Sequence, residues 1–320
     1  MNKSFGRKII ILFMILAFAF FWGMARGSVN LPFSGLFSEE GRPILYLRLL
    51  RILLAIIVGS GLSASGVALQ AVLRNPLADP YILATSSGAC LGAVTAIILG
   101  IHGAYLPLAA FLGAIISFIL VYNLAREGDK VPVQSLILAG VIMSIALSGM
   151  IVFLIYISGN EALHGAIWWL WGSLQVYDAR LIYIIGIVVA AGIAAIYMLS
   201  QDLNAISIGE EEAVHLGINP EAVKKIVFLI TSLITAGLVS VCGIIGFVGL
   251  VIPHMMRFVF GPDHRMLVPS ACMAGAAFMI ICDVVSRSLI PPMEVPIGII
   301  TALIGTPIFI ILLKRRQRIK

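Results

Sequence analysis

The sequence predicts an all-α polytopic membrane protein, and three observations lead to this fold class. Of the 320 residues, 61% are hydrophobic and only 11% are charged, which is too little charge to cover the surface of a soluble domain. Apolar runs fill most of the chain, and most of them approach the length of about 20 residues that a helix needs to cross a bilayer. Charged residues concentrate in the segments between these runs. We therefore expect a single transmembrane domain that covers residues 1–320 and contacts the lipid bilayer.

The apolar runs predict about ten transmembrane helices. We assign them to residues 9–25, 48–69, 82–99, 104–125, 133–157, 181–199, 226–241, 242–260, 266–290 and 295–313. The first run follows three basic residues, but Met-Ala-Arg at 24–26 is a poor cleavage site, so an uncleaved span is expected and not a signal peptide. The eighth run contains three glycines and Pro253 and is expected to be irregular or short. Between the fifth and sixth runs, Trp168, Trp169 and Trp171 predict a short helix near the membrane surface.

Lysine and arginine are distributed unequally between the two sides of this topology. An even number of spans places both termini on the same side, and with the termini inside, fifteen of the 21 lysines and arginines lie on the inner side. This excess predicts cytoplasmic termini and a cytoplasmic loop at about residues 200–225, between the sixth and seventh helices. Because the basic residues flank apolar runs, the net charge of +6 reflects orientation and does not indicate nucleic-acid binding.

The loop at about 200–225 is the longest strongly polar interruption in the second half of the chain. Glu210, Glu211 and Glu212 would complement the dipole of a helix that begins there, and Gly217 would end it. Asn219-Pro220 is expected to begin a second turn that runs to the lysines at 224 and 225. From its own residues the loop is either a docking surface or a solvated connection.

All six basic residues on the outer side are arginines. Arg48 and Arg51 lie one helical turn apart at the start of a span, and Arg287 lies at the end of another. Arginine holds carboxylates in a bidentate fork, so these residues could capture acidic groups of a partner or a substrate. The alternative is that they extend to lipid phosphates. Asp283, one turn from Arg287, is expected to pair with it at the interface and not to relay protons.

Several classes of active site are disfavoured by the motifs that the sequence does not contain. It has no GxxxxGK[ST] phosphate-binding loop, no HExxH or GxSxG motif, and no clustered histidines and carboxylates. The four cysteines are scattered through apolar runs without a CxxC pair, so metal or disulfide roles are not expected. We therefore expect no catalytic residue, metal or cofactor on this chain. What remains is a passive pathway or a pump driven by another subunit.

The stretch RLLRILLAIIVGSGLSASGVALQAVLRNPLADPYILATSSGA at 48–89 resembles the signature of the FecCD/BtuC-type permeases. These are type II ABC importers for iron-siderophores, haem and vitamin B12. The family pattern of Arg-Leu-Pro-Arg, Ser-Gly-x-x-x-Gln and Asn-Pro-Leu-Ala is matched, except that Leu50 replaces the usual proline. Further similar motifs follow in the family's order: WLWGSL at 169–174, GFVGLVIPHMMR at 246–257, DHR at 263–265, EVPIG at 294–298 and GTPIF at 305–309.

The resemblance implies an assembly and assigns roles to particular residues. Permeases of this family have ten transmembrane helices, form a homodimer and work with two ATP-binding subunits, on which ATP and Mg²⁺ bind. The cytoplasmic loop would dock on the ATPase through short coupling helices, and the candidate contacts are Glu210, Glu211, Ala213, Val214, Leu216 and Gly217. Of these, residues 213–217 are expected to supply the contact, whereas the glutamates could simply solvate the helix start.

Two further sites are implied by the same resemblance. A periplasmic or lipid-anchored binding protein would deliver the substrate by placing acidic residues on Arg48, Arg51 and Arg287. The cytoplasmic gate would be built from Asn75, Leu77, Val133 and Gln134. Prolines 76 and 80 interrupt the backbone near the first two gate residues, and irregular backbone at membrane depth is tolerated only beside a cavity or within protein.

The expected function is therefore the permease subunit of an ATP-driven importer in the inner or plasma membrane of a prokaryote. A ferric siderophore is the expected cargo because that use is the commonest in the family, with haem, cobalamin or molybdate as alternatives. In a different functional class, a secondary carrier or channel would transport without any ATPase.

Overall fold

The computed structural model describes residues 3–27, 39, 41–175 and 178–319. In these ranges the chain forms a short 3₁₀ helix (Pro80–Leu83) and thirteen α-helices, without any β-strand. The α-helices are α1 (Lys3–Ala25), α2 (Arg42–Val72), α3 (Thr85–Ile98), α4 (Tyr105–Ala125), α5 (Val133–Ile157), α6 (Asn160–Leu170), α7 (Ala179–Met198), α8 (Ser200–Ile208), α9 (Glu210–His215), α10 (Pro220–Cys242), α11 (Val248–Phe260), α12 (His264–Ser288) and α13 (Ile297–Ile319). The all-α class predicted from the sequence is confirmed.

Seven of these helices are long and apolar enough to cross a membrane. They are α1, α2, α4, α5, α7, α10 and α12. Three shorter apolar helices accompany them, namely α3, α11 and the Ile297–Leu312 part of α13. Each predicted apolar run corresponds to one of these ten helices, and α5 begins and ends where its run does. The crossing of the three shorter helices and the side on which the termini lie stay predictions.

α2 is the central helix of the bundle. Its residues from Ala64 to Val72 are all buried, and it packs against α7, α10, α11 and α12. Two glycines allow the closest of these approaches, because a Cβ atom on Gly59 would overlap the Gly275 carbonyl of α12, and one on Gly66 would overlap the Gly249 carbonyl of α11. Small residues at such crossings let helix backbones come into van der Waals contact within a membrane. The glycine and serine content of α2 therefore places it at the centre.

The break after α2 has a defined geometry. Arg74 has a φ of 45°, and the N–H of Asn75 donates to the Gln70 carbonyl at 3.2 Å, which is the Schellman ending of a helix. Farther along, Oδ1 of Asp79 accepts from the Tyr81 N–H at 2.9 Å and so caps the 3₁₀ helix that Pro80 begins. The predicted double interruption of the chain is therefore present.

The break before α11 is also present as predicted. Residues between α10 and α11 are irregular, with φ values of 68° at Gly243 and 70° at Phe247. The eighth apolar run is therefore reduced to a helix of thirteen residues, α11, with Pro253 inside it.

The loop between the sixth and seventh predicted spans differs from its expected form. The short helix expected at Glu210 is α9, but it is preceded by a second short helix, α8, that the apolar pattern did not indicate. The separate turn expected after Asn219 is instead the first turn of α10, with Oδ1 of Asn219 accepting from the Ala222 N–H at 3.1 Å. The reason is that Pro220 at the first helical position favours a helix start, and the chain then continues into an apolar run.

Candidate functional site

A cluster of charged side chains lies where α2 begins and α12 ends, the predicted outer end of the bundle. Nε of Arg51 donates to Oδ1 of Asp283, and its Nη1 donates to both carboxylate oxygens of Glu294 at 3.0 and 2.8 Å. Nη2 of Arg287 lies 2.9 Å from Oδ2 of Asp283, so the predicted pairing of these two residues is confirmed. The cluster thus joins α2, α12 and the segment before α13 by ion pairs.

Arg48 belongs to the same end of the molecule but has backbone partners. Its Nη1 donates to the carbonyls of Met24 at 2.8 Å and Ala25 at 3.2 Å, at the end of α1. Nη2 of Arg287 similarly donates to the Gly23 carbonyl at 3.3 Å. Two arginines therefore tie the end of α1 to α2 and α12, which is a structural role that the sequence did not reveal.

Burial of these arginines corrects the expectation of an exposed patch. Arg48 is 4% exposed and Arg287 is 3% exposed, so extension of these two side chains to lipid phosphates is wrong. Arg51 is the most accessible, with 13% of its side chain exposed. The contact of these arginines with a partner's carboxylates stays a prediction. Such carboxylates would have to compete with Asp283 and Glu294 for the guanidinium N–H donors.

Glu294 forms the solvent-facing rim of the cluster. Its Oε2 also accepts from Nε2 of Gln175 at 2.9 Å. Burial alone would raise the pKa of Glu294, but the Arg51 guanidinium and the Gln175 hydrogen bond outweigh that effect, so the pKa lies below its usual value. Glu294 is therefore a charged partner of Arg51 at neutral pH.

The loop at about 200–225, predicted to be cytoplasmic, contains both exposed and buried candidate residues. Val214 and Leu216 are 59% and 69% exposed, and Ile208 at the end of α8 is 73% exposed. Ala213, in contrast, is fully buried, so the loop exposes residues 214–217 and not the whole segment 213–217. Gly217, with a φ of 79°, ends α9 as predicted. Three exposed apolar side chains on one short loop form a candidate docking surface.

Glu210 has a fixed ionic partner. Nζ of Lys224 lies 2.7 Å from Oε1 of Glu210 and 2.9 Å from Oε1 of Glu221, and Lys224 itself is only 3% exposed. The second carboxylate oxygen of Glu221 accepts from the Val131 N–H at 3.1 Å, in the turn before α5. A continuous chain of polar contacts therefore runs from α9 through the start of α10 to the turn that precedes Val133.

The comparisons with known proteins agree on one family. The model of the FecCD transport family matches residues 14–315. The chain belongs to the FecCD transport family. It is 40% identical to the cobalamin import system permease protein BtuC of Halobacterium salinarum, over 85% of this chain and 73% of that protein. It is 34% identical to the hemin transport system permease protein HmuU of Yersinia pestis, over 97% and 96% of the two chains.

A solved structure resembles the whole fold. It is assigned to the metal-chelate type of ABC transporter in an inward-facing conformation, and it superposes with a TM-score of 0.89 at 32% identity, covering 97% of this chain and 99% of that one. This FecCD protein is therefore a multi-pass membrane protein and an ABC transporter permease, a membrane subunit and not the catalytic one.

The four candidate gate residues of this permease lie on two neighbouring segments. Oδ1 of Asn75 accepts from the Leu77 N–H at 2.9 Å, and Leu77 is 48% exposed. Val133 and Gln134 begin α5, which packs against the 3₁₀ helix where Gly140 faces the Ile82 carbonyl. Among the described residues no hydrogen bond joins the two segments at these four positions. Their function as a gate stays a prediction.

Three functional candidates were missed by reasoning from the sequence. Gln175 and Glu294 are near Arg51 only because the segments before α7 and α13 fold back to the start of α2, and no local spacing signals that. Lys224 was expected only as the end of a turn in this loop, but it is buried, and its Nζ lies 2.7 Å from Oε1 of Glu210 on α9.

Proposed function

We propose that this chain is the membrane subunit of an ATP-driven importer that takes up a metal chelate, with a ferric siderophore as the first cargo to test. The single observation that supports this most strongly is the FecCD match over residues 14–315, together with a fold that superposes over 97% of the chain on a transporter of the metal-chelate type. The expected location is the inner or plasma membrane of a prokaryote.

The proposed partners are a second copy of the chain, two ATP-binding subunits and a substrate-binding protein. The absence of a phosphate-binding loop from the sequence means that ATP has to be hydrolysed elsewhere. The docking surface of Ile208, Val214 and Leu216 supports an ATPase contact at α8 and α9, because apolar side chains this exposed on a polar loop are suited to a protein partner.

Motion of the ATPase would reach the gate through the polar chain described above. A displacement of α9 acts on Glu210, and through Lys224 and Glu221 on the backbone of Val131, two residues before α5 begins. Because Lys224 is buried, its two ionic contacts are less screened than surface pairs. The chain of contacts therefore couples α9 to the predicted gate position at Val133.

The binding protein would dock at the outer end through Arg51 first. Nε and Nη1 of Arg51 are engaged inside the chain, and among the described residues Nη2 remains available to an acidic side chain of a partner. Glu294, on the rim, would then have to share the guanidinium with the incoming carboxylate. Arg48 and Arg287 would take part only if the end of α1 moves away from them.

Reconstitution tests this function directly. The chain is inserted into vesicles with its ATPase, and uptake of labelled ferric siderophore, haem or cobalamin is measured with the binding protein outside and ATP inside. ATP-dependent uptake of the ferric siderophore is the expected result. Uptake of haem or cobalamin instead would reassign the cargo within the same machinery, as the similarity to the permeases HmuU and BtuC allows. Equal uptake in vesicles without the ATPase would show a secondary carrier and overturn the proposal.

A further inference from the structure

Residues 243–247, between α10 and α11, form an irregular segment that passes through the interior of the protein. Ile245, in the middle of this segment, is only 2% exposed. Among the described residues, the N–H and C=O groups of Ile245 form no hydrogen bond with another backbone group. Buried backbone groups need partners inside the protein, above all at membrane depth, because lipid supplies none. Both groups of Ile245 therefore depend on a side chain.

That side chain belongs to Tyr81, which lies 164 residues earlier, in the 3₁₀ helix. Its hydroxyl donates to the Ile245 carbonyl at 2.9 Å and accepts from the Ile245 N–H at 3.2 Å. Because a hydroxyl is both a donor and an acceptor, one tyrosine satisfies the two backbone groups at once. Phenylalanine at this position would fill the same space but would leave both groups of Ile245 unpaired.

The backbone of Tyr81 is fixed as well as its side chain. Its N–H donates to Oδ1 of Asp79 at 2.9 Å, and its carbonyl accepts from the Ala84 N–H at 3.0 Å. The Ala84 carbonyl in turn accepts from Oγ of Ser117 on α4 at 2.9 Å. Leu77, one of the predicted gate residues, lies four residues before Tyr81. A displacement of this part of the chain therefore carries the tyrosine ring with it.

The irregular segment is also connected to the charge cluster at the start of α2. The Ser173 N–H donates to the carbonyl of Cys242, the residue that precedes the irregular segment, at 2.8 Å. Two residues after Ser173, Nε2 of Gln175 donates to Glu294 on the rim of the charge cluster at 2.9 Å. Hydrogen bonds and short lengths of chain therefore connect the charge cluster to the irregular segment, and Tyr81 extends this connection to the predicted gate.

We propose that Tyr81 is a positioning residue for transport, which holds the predicted gate residues Asn75 and Leu77 in a fixed arrangement with the irregular segment. This inference rests on the proposed function, to which the gate belongs. Separating the two parts of the chain would leave the Tyr81 hydroxyl and both backbone groups of Ile245 without partners. The gate and the irregular segment are therefore expected to move together, and a gate motion that leaves the irregular segment behind is disfavoured.

Hydrogen exchange of the purified permease in detergent tests the contact without any partner or substrate. In Tyr81→Phe, the Ile245 amide loses its acceptor and should exchange about tenfold faster or more. The amides of Ile82 and Ala84, which are hydrogen-bonded within the 3₁₀ segment, should accelerate with it, while α7 exchanges as in the wild type. Faster exchange at Ile245 alone would show a local contact without positioning and would overturn the proposal, as would unchanged exchange at all three amides.

The wild type provides a second measurement, which does not depend on the folding of a variant. Amides that become exposed in the same opening event share one opening free energy. The amides of Ile245, Ile82 and Ala84 should therefore be protected to the same degree within about threefold, and added denaturant should lower their protection equally. A larger difference in protection between Ile245 and the other two amides would show that the two parts of the chain open separately, which would overturn the proposal.

Reconstitution with the ATPase separates positioning from stability. Tyr81→Phe should hydrolyse ATP at close to the wild-type rate, whereas the substrate moved per ATP should fall several-fold, because the gate no longer moves with the irregular segment. Tyr122→Phe is the matched control, since the hydroxyl of this partly buried tyrosine on α4 forms no hydrogen bond among the described residues, and its transport ratio should be that of the wild type.

The two possible failures are distinguishable in this assay. A wild-type transport ratio in Tyr81→Phe, next to ATP-dependent uptake by the wild type, would overturn the positioning role alone. Lack of ATP-dependent uptake by the wild type would contradict the proposed function and, with it, any role of Tyr81 in transport.

Discussion

Asp283 and Arg287 lie one turn apart on α12, with Nη2 of Arg287 2.9 Å from Oδ2 of Asp283. The same carboxylate accepts from Nε of Arg51 on α2, so one fully buried Asp283 compensates two guanidinium groups. Glu294 also faces Arg51, but 18% of its side chain is exposed to solvent. The two carboxylates therefore contribute unequally to stability. Loss of the Asp283 carboxylate would leave guanidinium charge buried without compensation.

Asp283→Asn is expected to destabilise the protein strongly. Removing one partner of a buried ion pair usually costs about 3–5 kcal/mol, because the remaining charge stays buried without compensation. Glu294→Gln should cost about 1 kcal/mol or less, because water reaches its side of the cluster. Thermal unfolding of both variants in detergent measures the difference. Similar melting temperatures for the two variants would contradict the central role of Asp283.

The double variant Asp283→Asn/Arg287→Gln provides a further check on the same cluster. If the single substitution acts through uncompensated charge, removing one guanidinium should restore part of the lost stability. The coupling energy between the two sites should then be measurable in a double-mutant cycle. Strictly additive effects would indicate that the carboxylate acts through packing and not through charge.

The docking surface on α8 and α9 predicts how the ATPase is retained. Val214→Ser and Leu216→Ser should reduce copurification of the ATPase by tenfold or more when combined, because both side chains are more than half exposed and would be buried in a contact. Glu212→Gln, on α9 but outside the segment 213–217, is the control and should copurify normally. Unchanged thermal stability of the permease alone would exclude misfolding. Undiminished copurification of the double variant would contradict ATPase docking on this surface.

The contacts of Lys224 predict a separable defect in coupling. Glu221→Gln removes one ionic contact of Lys224 and weakens the hydrogen bond to the Val131 N–H, but leaves the docking surface in place. We expect ATPase copurification to be normal, while substrate moved per ATP hydrolysed in reconstituted vesicles falls several-fold. Glu212→Gln, at an exposed position of α9 that is not among the candidate contacts, is the control. If Glu221→Gln moved as much substrate per ATP as the wild type, the contacts of Glu221 with Lys224 and Val131 would not take part in coupling.

The sequence predicts this fold well where the signal is local. The bounds of α5 and the irregular segment before α11 follow from apolar runs and from glycine and proline, which act on the backbone where they stand. The ion pairs of the charge cluster, in contrast, cannot be predicted from local sequence. Arg51 has candidate partners throughout the chain, and its pairing with Asp283 depends on α2 packing antiparallel to α12. The missed α8 has a similar cause, since it is too short and too polar for periodicity to separate it from a loop.

Gly66 predicts how closely the central helix must approach α11. A Cβ atom there would overlap the Gly249 carbonyl, so Gly66→Ala forces the two backbones apart and should cost about 1–3 kcal/mol. Gly237 in α10 is the control, since a Cβ atom at that position meets nothing within 4 Å. Gly237→Ala should stabilise its helix by about 0.5–1 kcal/mol. Melting temperatures that shift in the same direction for both variants would contradict the close approach of α2 and α11.

Asp79 predicts a stability change with pH. Burial raises the pKa of this carboxyl to about 6, and this effect exceeds the opposing hydrogen bond from the Tyr81 N–H. Between its unfolded pKa of about 3.9 and pH 6, the folded state holds a proton that the unfolded state releases. Stability should therefore fall as pH rises through this window, by roughly 2–3 kcal/mol in total.

Asp79→Asn isolates this contribution because the amide keeps an oxygen that can accept from Tyr81 but cannot ionise. The variant should melt at the same temperature as the wild type near pH 4 and at a progressively higher temperature up to about pH 7. Asp263 should change stability with pH in the opposite direction to Asp79. The hydrogen bond from Asn204 lowers the pKa of the Asp263 carboxyl, and this effect exceeds the opposing effect of partial burial. Asp263→Asn should therefore be less stable than the wild type at pH 7. This difference in stability should shrink only as the pH falls below about 4. A difference between wild type and Asp79→Asn that stays constant from pH 4 to 7 would show that Asp79 is ionised alike in the folded and unfolded states.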